Sequence, residues 1–237
     1  MTTLAILTAA GSGSRLGRDL PKALVELGGL PLLLHAARRL AASGVVDALV
    51  VTSPPGLVDV VRGLVAADPH VEVPVRVVEG GATRQASVAI GLGLASPADD
   101  VVLVHDAARP LVPVTLVRRV VDAVRAGHGA VVPGLAVTDT VKQVEPGPGP
   151  ELVVGTPERS VLRAVQTPQG FDRTLLERAH TTGAARAVAE HLAATDDAGL
   201  VEALGEPVHV VRGDEAAFKI TTERDLRLAE LVLQDQA

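Results

Sequence analysis

Short aliphatic and β-branched runs alternate along the chain with longer Ala/Leu/Arg stretches whose apolar positions return at helical spacing. The pattern predicts strands over 4–8, 47–52, 75–78, 101–104 and 129–133, and helices over 31–43, 56–67, 84–95 and 114–126. Helices between successive strands serve as crossovers, so the strands run mostly parallel and are covered on both faces. The expected fold class is therefore α/β, a Rossmann-like doubly wound sheet, and ligands of such sheets lie at the carboxyl ends of the strands. The rhythm breaks at about residue 134. The segment AVTDTVKQVEPGPGPELVVGTPERSVLRAVQTPQGF holds two β-like runs around the Pro/Gly turn EPGPGP. That is the pattern of a hairpin arm, about 134–165, projecting from one domain that spans 1–237. A two-stranded ribbon is marginal in water by itself, so the arm is expected to be covered by a second copy in a homodimer. Helices near 172–182 and 184–194, a strand at 207–212 and a helix at 222–235 then return to the α/β rhythm.

Composition narrows the classes. With 237 residues and 47% apolar content, one large core is within reach. A net charge of −6 argues against a general nucleic-acid or membrane-surface binder, so an anionic ligand has to be met by local cations. No apolar run has membrane-spanning length. TLAILTAAG follows no positive n-region and reads as a first buried strand, not as a signal peptide. The absence of cysteine excludes disulfides, thiol catalysis and thiolate zinc and fits a reducing compartment, so a cytoplasmic location is expected. Lysine occurs three times, at Lys22, Lys142 and Lys219, against nineteen arginines. A chain that uses arginine for ordinary surface charge points to places where a compact ammonium does something different.

Five segments carry candidate chemistry. GSGSRLG follows the first strand, but its third glycine, Gly17, comes one residue late for a dinucleotide fingerprint, and Arg18 stands where a P-loop needs lysine. What remains is a glycine-rich turn carrying Arg15 and, after the rigid Pro21, Lys22. Backbone amides beside cations suit a polyanion, the alternative being a solvated surface loop. EGGATRQASVAIGL sets a Gly-Gly turn and a possible Thr83 cap before a helix, whose amides favour an anion or a base edge; as structure alone it is a well-capped helix. VVLVHDAARPLV places Asp106 at the end of a buried strand, where a carboxylate can hold a divalent cation or simply cap a turn; His105 reads as a packed histidine. In TDDAGLVEALG, Asp196 and Asp197 are candidate helix caps, and in FKITTERDLRLAELVL Lys219 is by composition one exposed cation.

AAGSGSRLG…PKAL resembles the opening motif of the nucleotidyltransferases that join a nucleoside triphosphate to a sugar or polyol phosphate, with Ala23 where the family usually has glutamine. HDAARP, the EGGATRQAS segment and the arm sequences are similar to the cytidylyltransferase branch of that family, and the matches run in order from Leu4 to Leu233. The resemblance implies transfer of CMP from CTP to a polyol phosphate, with 2-C-methyl-D-erythritol 4-phosphate of the non-mevalonate isoprenoid route as acceptor, or another such as ribitol 5-phosphate. It implies nucleotide contacts from Ala10, Gly11, Ser12, Gly13, Gly80, Gly81, Arg84, Ser87 and Asp106. It further implies catalytic cations at Arg15, Lys22, Arg159 and Lys219, acceptor contacts from Asp106, Arg109, Thr140, Arg159 and Thr195, and Mg2+ at Asp106. Thr140 and Arg159 would reach from the arm into a neighbouring subunit's site, and Thr167 and Gln169 would form a TPQ turn. This agrees with what the chain lacks, since a phosphate monoester is already ionised near neutral pH and attacks without a general base.

Overall fold

Consecutive side chains of the first strand enter different cores, and that alternation sets the architecture. Ala5 and Leu7 pack in one cluster with Leu33, Ala36, Leu40, Val61, Val117 and Val120, whereas Ile6 packs in a second with Val88, Leu92, Phe171 and Leu176. A strand apolar on both faces lies between two helical layers. The computed structural model describes residues 1–11, 20–188 and 194–235. Its elements, in order, are β1 (Thr2–Thr8), β2 (Glu26–Leu27), β3 (Leu30–Pro31), α1 (Leu32–Ala41), β4 (Ala48–Ser53), α2 (Val58–Ala66), β5 (Val75–Glu79) and α3 (Arg84–Leu92). There follow β6 (Asp99–Asp106), α4 (Val114–Arg125), β7 (Ala130–Ala136), β8 (Gln143–Glu145), β9 (Leu152–Gly155), β10 (Arg163–Val165) and β11 (Gln169–Asp172). The chain ends with α5 (Arg173–Thr182), α6 (Ala198–Glu202), β12 (His209–Arg212) and α7 (Glu223–Gln234).

The main sheet has the order β10-β7-β11-β6-β1-β4-β5, with β12 also paired to β7. β5, β4, β1 and β6 are mutually parallel, the doubly wound half that the alternation predicts. The other half is mixed: β11 runs antiparallel between β6 and β7, β10 runs antiparallel to the end of β7, and β12 runs parallel to β7. β8 and β9 form a separate antiparallel ribbon around the Pro/Gly turn, and Leu152, Val153, Val154 and Val161 leave large apolar side chains exposed along this arm. The helix expected over 184–194 is a 3-10 turn at Ala184–Val188 in its described part, and α6 begins later, at Ala198. Two helices are capped as their sequences require, α5 by Asp172 and α7 by a Thr222–Asp225 capping box. A third apolar cluster, with Leu27, Leu32, Leu111, Ile220 and Leu226, ties α7 to the β2–β3 hairpin. Among the described residues no helix is long and apolar enough to cross a membrane.

Candidate active site

The carboxyl ends of β1 and β6 lie side by side, with Thr8 in register with Asp106. β1 has β4 on its other side, so the chain leaves the sheet in different directions here and opens a crevice. The crevice is a cleft of about 700 Å3. Thr8, Ala9, Ala10 and Gly11 line it from the end of β1; Asp106, Ala107 and Ala108 from the end of β6; Gly81 to Arg84 and Ser87 from the start of α3; Lys22 from a 3-10 turn; and Lys219 from the loop before α7.

Asp106 organises the cleft. Its Oδ2 accepts from Lys219 Nζ at 2.7 Å and its Oδ1 from Arg84 Nε at 3.1 Å, while the one hydrogen of the Thr8 hydroxyl is shared between Oδ1 at 3.3 Å and the His105 carbonyl at 3.2 Å. Burial alone would raise this carboxyl, but Arg84 and Lys219 outweigh it and hold it well below the ordinary carboxylate range. Arg84 also donates Nη1 to Asp197 at 2.7 Å, and Asp197 accepts on its other oxygen from His180 Nε2 at 2.9 Å. Burial would lower Arg84 as well, yet the two carboxylates raise it. Two carboxylates thus neutralise Arg84 and Lys219, and Lys22 adds a cation to the same cleft.

A buried neutral network fixes the backbone of Asp106. Its amide donates to Thr167 Oγ1 at 3.1 Å, and Thr167 Oγ1 lies 3.0 Å from His105 Nδ1. His105 Nε2 lies 3.2 Å from the Arg109 carbonyl, an acceptor only, so the ring carries its hydrogen on Nε2 and accepts the Thr167 hydroxyl on Nδ1. Burial pushes His105 down to about 4, consistent with this neutral tautomer. The Thr167–Pro168 peptide is cis. Lys219 is placed from two sides. Arg109 donates to the Ala217 carbonyl at 2.7 Å, and Gln166 makes both side-chain bonds to the Asp214 backbone, at 2.8 and 3.0 Å.

The Gly80–Gly81 turn closes the wall beside α3. A Cβ on Gly80 would stand 2.4 Å from Ala10 Cβ and 2.9 Å from Ser87 Oγ, so only glycine fits. Both amides bond within the protein, Gly80 to the Ser53 carbonyl and Gly81 to Ser87 Oγ at 3.0 Å. Ligand contacts at this turn therefore fall to carbonyl oxygens, to Ser87 or to the first amides of α3. Thr83 caps α3 as its position predicts, accepting from Ala86 N.

The structure brings Ala10, Gly11, Lys22, Gly81, Arg84, Ser87, Asp106 and Lys219 to one cleft. Ser12, Gly13 and Arg15 lie outside the described residues. Thr140 and Arg159 stand together in the arm, lining a second cavity of about 270 Å3 with Thr156, Pro157 and Glu158. Arg109 uses its guanidinium on main-chain carbonyls, and Thr195 is exposed beside Asp196. Asp196, not Asp197, caps the start of α6, accepting from Gly199 N at 3.0 Å, while Asp197 forms ion pairs; the doublet alone does not separate these roles. Gln166, His180 and Thr8 were not singled out by sequence, although Gln166 directly precedes the TPQ turn and Thr8 ends the strand before the glycine loop. No group of three acidic or imidazole side chains among the described residues could hold a metal by itself. Asp106 has about four acceptor positions and at most three of them are used, which leaves one on Oδ2 for a cation held mainly by other ligands.

A parallel half-sheet whose switch point holds, among the described residues, a buried carboxylate, three cations and a glycine turn defines an α/β protein built to bring polyanions together. Comparison with known proteins agrees and is narrower. The chain belongs to the family described as IspD: 2-C-methyl-D-erythritol 4-phosphate cytidylyltransferase, whose model matches residues 3–235. It is 55% identical to the enzyme of that name from Streptomyces coelicolor, over 98% of this chain and 84% of that one. The same name is carried by a Nocardia farcinica protein 51% identical over 100% of this chain and 96% of its own. Among solved structures, 4-diphosphocytidyl-2C-methyl-D-erythritol synthase from Anaerococcus prevotii superposes with a TM-score of 0.82 at 29% identity, covering 98% of each chain. The Thermus thermophilus cytidylyltransferase superposes at 0.74 with 41% identity, over 97% of this chain and 98% of that one.

Proposed function

We propose that the chain transfers the cytidylyl group of CTP to 2-C-methyl-D-erythritol 4-phosphate and releases pyrophosphate, a step of non-mevalonate isoprenoid precursor synthesis in the cytoplasm. The observation that carries this is the cleft itself, where Asp106, Arg84, Lys219 and Lys22 meet the end of the glycine turn. An oxygen of the acceptor phosphate forms a bond to the α-phosphorus. The bond from that phosphorus to the bridging oxygen breaks, and its electron pair leaves with pyrophosphate. The attacking oxygen is already ionised, so the protein's work is alignment and charge stabilisation.

Lys22, with Arg15, takes the triphosphate and the charge that gathers on the leaving group, and Lys219 stands over the α-phosphate with Asp106 as its anchor. Ser87 supports cytosine. Its hydroxyl donates to the Thr83 carbonyl at 2.9 Å, so toward a ligand it offers a lone pair, which suits the amine of cytosine and opposes the carbonyl of uracil. Asp106 would hold Mg2+ through its remaining acceptor position, the substrate phosphates supplying the other oxygens, and the ion would neutralise charge between the phosphates. In this reading Arg109 and Thr195 flank the acceptor, and Thr140 and Arg159 of a neighbouring copy's arm clamp its phosphate; the exposed apolar side chains of the arm and its second cavity support a homodimer.

Pyrophosphate release measured with each of the four common ribonucleoside triphosphates, against methylerythritol phosphate and ribitol 5-phosphate in parallel, tests the reading. Release is expected with CTP and methylerythritol phosphate. Faster release with ribitol 5-phosphate, or none with CTP, would overturn it.

A further inference from the structure

Behind the cleft a chain of buried charges runs away from the substrate and ends at a histidine that no catalytic step uses. Arg84 is the first residue of α3, and its guanidinium is divided between Asp106 in the cleft and Asp197 behind it. The Asp197 side chain is 1% exposed, and its two oxygens are divided in turn, one to Arg84 Nη1 at 2.7 Å and one to His180 Nε2 at 2.9 Å. Asp197 immediately precedes α6 yet makes no capping bond there. Asp196 does the capping and is itself held by Gln169 Nε2 at 2.7 Å, while Gln169 Oε1 accepts from Ala198 N at 3.2 Å. The start of α6 therefore does not need the Asp197 side chain. A carboxylate buried to this depth is costly, and an apolar residue would serve packing as well or better. What the carboxylate does that an apolar side chain cannot is hold a guanidinium in one orientation. His180, on α5, does the same for the carboxylate; among the described residues its buried Nδ1 has no hydrogen-bond partner, and its directed bond is the one from Nε2 to Asp197.

We propose that Asp197 and His180 are positioning residues for the transfer reaction: His180 orients the Asp197 carboxylate, Asp197 fixes the Arg84 guanidinium, and Arg84 holds Asp106 at the orientation in which it anchors Lys219. The chain of contacts reaches the nucleotide side of the cleft and leaves the arm untouched. Its loss therefore acts first on CTP, through Arg84 and Asp106, and spares the arm's clamp on the acceptor phosphate.

The test is a cycle of variants assayed with both substrates and by calorimetric binding of CTP alone. Asp197→Asn is expected to lower kcat/KM for CTP about thirtyfold and to weaken CTP binding in the absence of acceptor. Arg84→Gln is expected to lose at least as much, and the double variant to be no more than about twofold worse than Arg84→Gln alone, because residues acting through one another are not additive. Loss in the double variant equal to the product of the single losses would overturn the proposal, as would native CTP kinetics in Asp197→Asn. Should Asp197→Asn fail to fold, the His180 pair decides: His180→Leu lowers kcat/KM for CTP and His180→Gln, which keeps a side-chain N–H, restores it to within about threefold of native. Equal activity in those two variants would overturn it. The inference rests on the proposed reaction, and native protein in the same assay separates the two, since a native chain that neither binds CTP nor releases pyrophosphate sinks the reaction first.

Discussion

Asp106 stays charged while buried because Arg84 and Lys219 face it, and side-chain predictions turn on the residues around it. Lys22→Ala removes a compact cation from the cleft and is expected to lower kcat about a hundredfold, the scale of losing one preorganised donor, in a steady-state pyrophosphate-release assay. Thr167→Val leaves both the Asp106 amide and His105 Nδ1 without partners in the interior, and denaturant titration is expected to register a loss of about 1–3 kcal/mol. His105 also sets a pH dependence. Burial pushes its pKa down to about 4 from 6.5, so between those values the unfolded chain binds a proton that the folded chain refuses. Stability therefore falls as pH falls from about 6.5 to about 4, and this contribution is constant below that. Burial lowers His35 as well and acts in the same direction. Denaturant midpoints at pH 7, 5.5 and 4.5 should fall in that order; a midpoint flat across the window would show that neither histidine is buried neutral.

At the scale of elements, the strands and helices that position the site owe their placement to their ends. Helix α3 starts where it does because Thr83 caps it and because the Gly80–Gly81 turn can press against Ala10. Gly80→Ala puts a methyl group into occupied space and is expected to cost about 1–3 kcal/mol of stability and to weaken CTP binding, measured by thermal melting and calorimetry on the same samples. A control at the opposite end of β6 from Asp106 is Asp172→Ala, which removes the cap of α5; it is expected to cost about 1 kcal/mol and to leave kcat/KM unchanged. The parallel half of the sheet was legible because each of its strands is a short aliphatic run followed by a helical period. The β2–β3 hairpin was not, although Gly28 and Gly29, both at positive φ, mark its turn, because two-residue strands carry no period. β11 was missed for a related reason: GFD has no alternation, and only its place between β6 and β7 makes it a strand.

For the molecule as a whole, the ribbon β8–β9 and the residues after it leave Leu152, Val153, Val154 and Val161 in water, an arrangement that another surface would relieve. If a second copy covers the arm, Val161→Asp shifts the sedimentation coefficient to that of a monomer and abolishes transfer. In the same case, a mixture of inactive Asp106→Asn and inactive Arg159→Ala proteins regains activity, because one site of the mixed dimer draws both native residues. A monomeric Val161→Asp protein with native turnover would break the link between assembly and catalysis.

The sequence by itself determined the α/β class, the glycine turns, the caps, and the cationic and carboxylate residues at the strand ends, because each rests on local periodicity or on the chemistry of a few neighbouring residues. The tertiary structure alone decided which of those charges meet. Arg84, Asp106, Asp197 and Lys219 come from four separate segments, and His180 and Gln166 matter only through partners 17 and 48 residues away in the chain. Hydrogen bonds and ion pairs act over a few ångströms of space, and spacing along the chain does not encode such distances until the sheet has folded.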